Sequence, residues 1–249
     1  MIRAIVTALV LSALAAPASA ESEEGPPLQH ANVDLSDRGS LQHGAKLFIN
    51  YCVSCHSASF MRYNRIAADL GIPDDKMKQN LMFASNKIGD TMTVAMRSED
   101  AEAWLGVPPP DLSVVARSRG EDWLYSFLQG FYLDDKRPTG VNNLYFPSTA
   151  MPHVLWELQG LKKPVYHAVP DEMTGKDTQV IEHLEQVTPG TLSEAEYKHA
   201  IRDLVGFLVY LGEPAKLLRY RIGVGVIMFL SVLLIVVYLM KREYWKDVH

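Results

Sequence analysis

Cys52-Val53-Ser54-Cys55-His56 contains both cysteines of this 249-residue chain, and the spacing is that of a c-type haem attachment site. The two thiols add across the two vinyl groups of one porphyrin, and the imidazole that follows directly is placed to ligate the iron. A zinc site of this kind needs four protein ligands, with a second Cys or His pair at matching spacing, and no third cysteine exists. Both thiols are consumed by the motif. None is left for a disulfide, and one covalently bound haem c anchors the core in place of a crosslink.

Working outward, Leu41 to Tyr51 reads as a helix that runs straight into the motif, with Leu47, Phe48 and Tyr51 available to face the core. Near the other end of the domain, Ser193 followed by Glu196 is a capping-box pattern. Tyr197, Ile201, Leu204, Leu208 and Leu211 then repeat at helical spacing until Gly212-Glu213-Pro214 stops the helix. The two helices are expected to pack on one another beside the porphyrin. A third is expected over Glu121 to Gly130, with Trp123, Leu124, Phe127 and Leu128 as its apolar face. Gly71 to Pro110 and Lys136 to Pro189 read as mostly irregular, loops that the apolar surface of a haem lets wrap around it.

The second axial ligand sets both potential and reactivity. Of ten methionines, Met1 is terminal, and Met228 and Met240 fall in an apolar run. Met61, Met77, Met82, Met92, Met96, Met151 and Met173 remain. Met61 follows His56 too soon to reach the opposite face of the ring. Met151 lies in Phe146-Pro147-Ser148-Thr149-Ala150-Met151-Pro152, where the following proline restricts it to extended conformations. Met151 is therefore the first choice, with Met92 and Met96 behind it and His153 as the nitrogen rival.

The ends of the chain describe its address. Residues 1–20 carry one basic residue, Arg3, then an apolar run to Ala16, then Ala18-Ser19-Ala20, the anatomy of a cleaved signal peptide. Ile222 to Met240 is nineteen residues without a charge, about 28 Å as a helix and close to the hydrocarbon thickness. Three basic residues flank it on each side (Lys216, Arg219, Arg221; Lys241, Arg242, Lys246), so the positive-inside count decides nothing. Export of the amino terminus decides instead. The expected order is a signal peptide at 1–20, a periplasmic haem domain at 21–215, a juxtamembrane segment at 216–221, a single membrane helix at 222–240 and a cytoplasmic tail at 241–249. The exported domain holds 17 Lys and Arg against 27 Asp and Glu. Ten net negative charges repel nucleic acid and serve either the solubility of an exported domain or the docking of basic partners.

Further stretches carry a resemblance: Pro109-Pro110-Asp111-Leu112-Ser113 followed by Arg117, Gly120-Glu121-Asp122, Pro138-Thr139-Gly140, Tyr145-Phe146-Pro147, Ala150-Met151-Pro152 and Phe207-Leu208-Val209-Tyr210-Leu211-Gly212-Glu213-Pro214. In this order, with one carboxy-terminal anchor, they resemble bacterial cytochrome c1, the haem subunit of the cytochrome bc1 complex. The resemblance implies a mainly α, class I cytochrome c-like haem domain with long loops plus one transmembrane helix. It implies His56 and Met151 as iron ligands, Arg117 paired with a haem propionate, Pro109 and Pro110 as a wall against the ring, and Tyr125 as a further propionate partner. Some bacterial relatives carry a disulfide that restrains the ligand loop. This chain lacks the cysteines, so packing by Tyr145, Phe146 and Pro152 is expected to hold Met151.

The function so implied is one-electron transfer within quinol:cytochrome c oxidoreduction. The Rieske iron-sulfur protein is the donor, a c-type cytochrome the acceptor, and cytochrome b and the lipid bilayer the neighbours of the anchor; the chain is a redox subunit not expected to catalyse turnover alone. Glu99-Asp100-Glu102 and Asp134-Asp135 are candidates for attracting a basic carrier. Two competing classes are a freestanding membrane-anchored cytochrome or terminal-oxidase haem subunit, and a gas sensor or peroxidase. The first would purify without cytochrome b, and the second would bind carbon monoxide at an open sixth position.

Overall fold

The computed structural model describes residues 26–94, 96–170 and 177–247. The expected signal peptide and Met173 lie outside them. In chain order the elements are α1 (Arg38–Tyr51), β1 (Ala58–Arg62), α2 (Tyr63–Leu70), α3 (Asp74–Asn80), β2 (Thr91–Met92), α4 (Ser98–Leu105), α5 (Val115–Arg119), α6 (Glu121–Gln129), β3 (Phe131–Leu133), β4 (Val141–Asn143), α7 (Trp156–Gln159), β5 (Gly160–Pro170), β6 (Asp177–Pro189), α8 (Glu194–Gly212) and α9 (Lys216–Tyr244). The chain is mainly α, and the strands form three separate antiparallel pairs, β1 with β2, β3 with β4 and β5 with β6.

The core is the crossing of α1 and α8. Asp37 caps α1 by accepting from the Ser40 amide, and Ser193 and Glu196 complete the reciprocal capping box that opens α8. Gly44 makes the crossing close: a Cβ built on it would lie 2.1 Å from the Asp203 carbonyl oxygen and 2.8 Å from the Phe207 Cβ. Phe48 and Phe207, both fully buried, meet there with ring centroids 5.6 Å apart. Burying each is worth about 1.5–3 kcal/mol. Beside them Asp203, 2 % exposed, accepts from Ser40 Oγ at 2.6 Å and lies 2.7 Å from His43 Nδ1 and 3.1 Å from His199 Nδ1. The imidazoles of His43 and His199, exposed on the two helices, thus face a buried carboxylate. Helix α6 joins the pair, and the buried Tyr197 hydroxyl donates to the Leu128 carbonyl at 2.9 Å.

Of the two stretches expected to be mostly irregular, 71–110 is so outside two short helices and β2, and 136–189 is corrected. The stretch 71–110 contains α3 and α4, each opened by acidic residues that favour a helix amino terminus. The stretch 136–189 contains β4, α7 and a long hairpin, β5 with β6, paired from Gly160 opposite Pro189 to Pro170 opposite Asp177 with register shifts after Leu161 and after Val165. Both hairpin faces are largely exposed, with Tyr166, Val169, Val180 and Val187 in solvent. Without a buried face the strands need no in-out alternation, so the period-2 signal is weak. The β-branched content of 178–188 was the trace that remained.

Only Glu213, Pro214 and Ala215 separate α8 from α9. The Arg219 guanidinium donates to both Glu213 carboxylate oxygens across the joint. Helix α9 has 29 residues, with a mean hydropathy of 2.9 over its most apolar window and none of that window buried. A helix of about 43 Å presenting apolar side chains all round belongs in a bilayer rather than in water. It contains the expected span 222–240 and extends it at both ends.

Candidate haem-binding site

The attachment motif is one tight turn continuing α1. The Cys52 amide still donates to Phe48, while the Cys55 and His56 amides both return to the Cys52 carbonyl at 3.0 and 2.8 Å. Both thiols are free; Cys52 is buried and Cys55 half-buried. Burial, with the neighbouring Cys55, pushes the Cys52 thiol up to about 12.

The segment 109–113 is clipped along the chain that leaves the motif. Leu112 donates its amide to the Ser57 carbonyl at 2.8 Å, Ser59 donates to the Asp111 carboxylate at 2.9 Å, and Phe60 to the Ser113 hydroxyl at 3.1 Å. Asp111 also accepts from the Ser113 amide at 2.7 Å. Burial raises the Asp111 carboxyl, but the hydrogen bonds from Ser113 and Ser59 outweigh it and hold the group below the usual carboxylate range. This clip delivers the Pro110 carbonyl to His56 Nδ1 at 2.8 Å.

That contact tests the fit to a haem. A carbonyl only accepts, so Nδ1 carries the proton and Nε2 keeps its lone pair for a metal, with the ring orientation fixed. Burial lowers the His56 pKa, with the Pro110 hydrogen bond and Asp111 acting in the opposite sense. Two unpaired thiols on the same turn complete the donor set, and the residues present fit covalent haem c. The expected role of Pro110 is refined: its backbone oxygen orients the imidazole.

Met151 is half-buried against the core, and its amide donates to Thr149 Oγ1 at 3.3 Å. Met61, Met77, Met82 and Met92 are buried; Met92 pairs with Ala58 on the strand that leaves the motif. His153 is buried, its ring parallel to Phe131 at 4.9 Å. Burial, foremost, takes its pKa down to about 4, so it is neutral at physiological pH. Tyr125 is buried on α6. Arg117 is exposed on α5 with its stem over Gly212, and it lines a cavity of about 230 Å³ with Glu121, Val209, Glu213 and Lys216. The structure therefore joins Cys52, Cys55, His56 and Pro110 directly, and places Met151, Arg117 and Tyr125 on other elements.

The Met151 loop is braced by residues that sequence reasoning passed over. Asn143, fully buried, accepts from the Tyr145 and Phe146 amides at 2.9 and 3.2 Å and donates to the Phe127 carbonyl at 2.8 Å. Asn142 accepts from the Ser148 amide at 2.8 Å, and Arg137 donates to the Ser148 carbonyl at 2.9 Å. The expectation of packing alone is corrected. Packing contributes as well: the Tyr145 ring lies where a Cβ on Gly130 would be, 2.7 Å away, and Phe146 sets its edge against Trp123 and Phe127 at 6.2 and 6.4 Å. Arg119 covers Trp123 and Phe146 at 5.0 and 5.6 Å.

The Cytochrome C1 family matches over residues 29–248. The chain belongs to the cytochrome c1 family. It is 50 % identical to cytochrome c1 of Allochromatium vinosum over 239 residues, 95 % of this chain and 96 % of that one. It is 43 % identical over 249 residues to a Nitrosomonas europaea protein named ammonia monooxygenase gamma subunit, covering 100 % of this chain and 99 % of that one. The cytochrome b/c1 of Bradyrhizobium diazoefficiens matches at 28 % over 260 residues, 86 % of this chain and 34 % of that protein. Cytochrome c1 membership brings covalently bound haem c, electron transport as the haem subunit of the cytochrome bc1 complex, cytochrome b as the setting, and a membrane anchor that α9 supplies.

Proposed function

We propose that this chain accepts one electron from the Rieske iron-sulfur protein and passes it to a c-type cytochrome, with its haem domain periplasmic and its carboxy-terminal tail cytoplasmic. Cleavage after Ala20 fits this orientation. Cys52 and Cys55 would hold the haem covalently, and His56 and Met151 would ligate its iron. The observation that supports the reading is the His56 Nδ1 contact with the Pro110 carbonyl, which leaves the Nε2 lone pair available to a metal on the same turn as two free thiols.

Haem supplies a one-electron centre that moves between ferric and ferrous iron. The chain's own contribution is to keep that centre unchanged between the two states. His56 is locked by Pro110, Met151 is presented from a braced loop, and neither ligand has to leave, so little rearrangement opposes transfer. Met92 serves the β1–β2 core and fits the sixth position less well. Arg117 is the cation proposed for a propionate, since a guanidinium gives a carboxylate two-pronged hydrogen bonding; Tyr125 is its proposed companion.

The test is Met151→Leu in the purified membrane complex. The native haem is expected to be low-spin and inert to carbon monoxide. The variant is expected to turn high-spin, bind carbon monoxide and fall in potential, because loss of a methionine ligand removes what raises it. An unchanged spectrum would take Met151 off the iron and leave Met92, Met96 or His153.

A further inference from the structure

We propose that Asn143, together with Asn142 and Arg137, is the positioning device that presents the Met151 loop to the iron, doing by hydrogen bonds what a crosslink would do covalently. The inference rests on Met151 as the sixth ligand and adds residues that the ligand assignment does not name.

Three observations converge. First, Asn142 and Asn143 end strand β4 immediately before the loop, and strand alternation sends adjacent side chains in opposite directions. Asn143 turns inward and gathers the Tyr145 and Phe146 amides at 2.9 and 3.2 Å; Asn142 reaches forward to the Ser148 amide at 2.8 Å. Residues 145, 146 and 148 therefore hang from two side chains on one strand end. Second, Asn143 is fully buried and its amide nitrogen donates at 2.8 Å to Phe127 in the last turn of α6. Helix α6 packs on α8, so the loop is tied to the helical core that carries the haem turn. Third, Ser148 sits at φ +66, a left-handed conformation that costs a residue with a side chain and persists only where its surroundings over-determine it. Both faces of that residue are pinned, its amide by Asn142 and its carbonyl by Arg137 at 2.9 Å. Met151 follows three residues later, and its own amide is taken by Thr149 Oγ1.

Arg137 leaves the turn between β3 and β4, and the Asp134 carboxylate in that turn is occupied by Asn142 Nδ2 at 2.9 Å. The guanidinium is free to reach across to the loop. Asp134, Asn142 and Arg137 form one polar bridge from the hairpin turn to Ser148.

The experiment uses the assembled membrane complex and compares Asn143→Ala, Arg137→Ala, Arg137→Lys and Met151→Leu. Readouts are carbon monoxide binding to the reduced haem, the ferric spin state and the midpoint potential. Asn143→Ala removes the acceptor of the Tyr145 and Phe146 amides and is expected to raise the carbon monoxide binding rate at least about tenfold and lower the potential, while a residual low-spin fraction distinguishes it from Met151→Leu. Arg137→Ala is expected to move the same readouts less, and Arg137→Lys to restore part of the change. If Asn143→Ala fails to assemble, the arginine pair decides. Native readouts in a haem-loaded Asn143→Ala, or in Arg137→Ala where the former cannot be made, overturn the proposal provided that Met151→Leu changes them. Native readouts in Met151→Leu overturn the ligand assignment itself.

Discussion

One carboxylate, Asp122, ties the amino-terminal segment to α6. It accepts from the Ala31 amide at 2.8 Å and lies 2.7 Å from His30 Nδ1, while Gln29 donates to Ser126 Oγ at 2.8 Å beside it. The Ala31 hydrogen bond, ahead of the contribution from His30, holds the Asp122 carboxyl below its usual range. A depressed carboxylate adds stability in full above its unfolded pKa near 4 and loses it as pH falls through the lower folded value. Hydrogen exchange at the Ala31 amide is therefore expected to stay protected from neutral pH to about pH 5 and to lose protection in stronger acid, with Asp122→Ala unprotected throughout; protection independent of pH in the native chain would remove Asp122 from this role. At this scale the sequence was legible where chemistry is carried by side chains at fixed spacing. Cys52, Cys55 and His56 could be named at once. The Pro110 carbonyl could not, because it is a backbone group whose role exists only once Asp111 and Ser113 clip its segment to residues 57–60. Asn143 reads as an ordinary turn residue until the fold buries it.

Among the elements, α1 and α8 depend on a missing side chain. Gly44→Ala would place a methyl 2.1 Å from the Asp203 carbonyl oxygen, where backbone rather than a flexible side chain must yield. The helices would have to separate, at a cost typical of overpacking, about 1–3 kcal/mol. The expected result is a lower urea midpoint at unchanged slope; a variant as stable as the native chain would mean that the crossing has slack. Both helices, and α6 with them, were readable because caps and a 3.6-residue apolar period are local signals. Helices α3 and α4 bury one residue each, Met77 and Ala101, so their period was too faint to read. The hairpin was missed for a related reason: β5 and β6 are stabilised by each other's backbone, and their side chains face water on both sides.

The whole molecule separates charge from anchor. Ten net negative charges in 21–215 predict that reduction of a basic carrier slows as salt rises. The structure sorts the acidic candidates. Asp100 is engaged by Arg97 at 2.8 Å and Asp134 by Asn142, whereas Glu99 and Glu102 are exposed on α4 beside Trp104, itself 70 % exposed. Glu99→Lys with Glu102→Lys is expected to flatten the salt dependence of carrier reduction several-fold, measured by stopped-flow over a range of ionic strength. An unchanged slope would put docking elsewhere.

The three-residue joint between α8 and α9 has a mechanical consequence. A polypeptide linker of many residues would let the haem domain wander over the membrane like a float on a line. Glu213, Pro214 and Ala215 make instead a stalk, with a proline in the middle and a guanidinium fork across it. On the proposed function, this short joint keeps the haem domain close to its membrane anchor. On that same proposal, the travelling between donor and acceptor falls to those two proteins rather than to this chain.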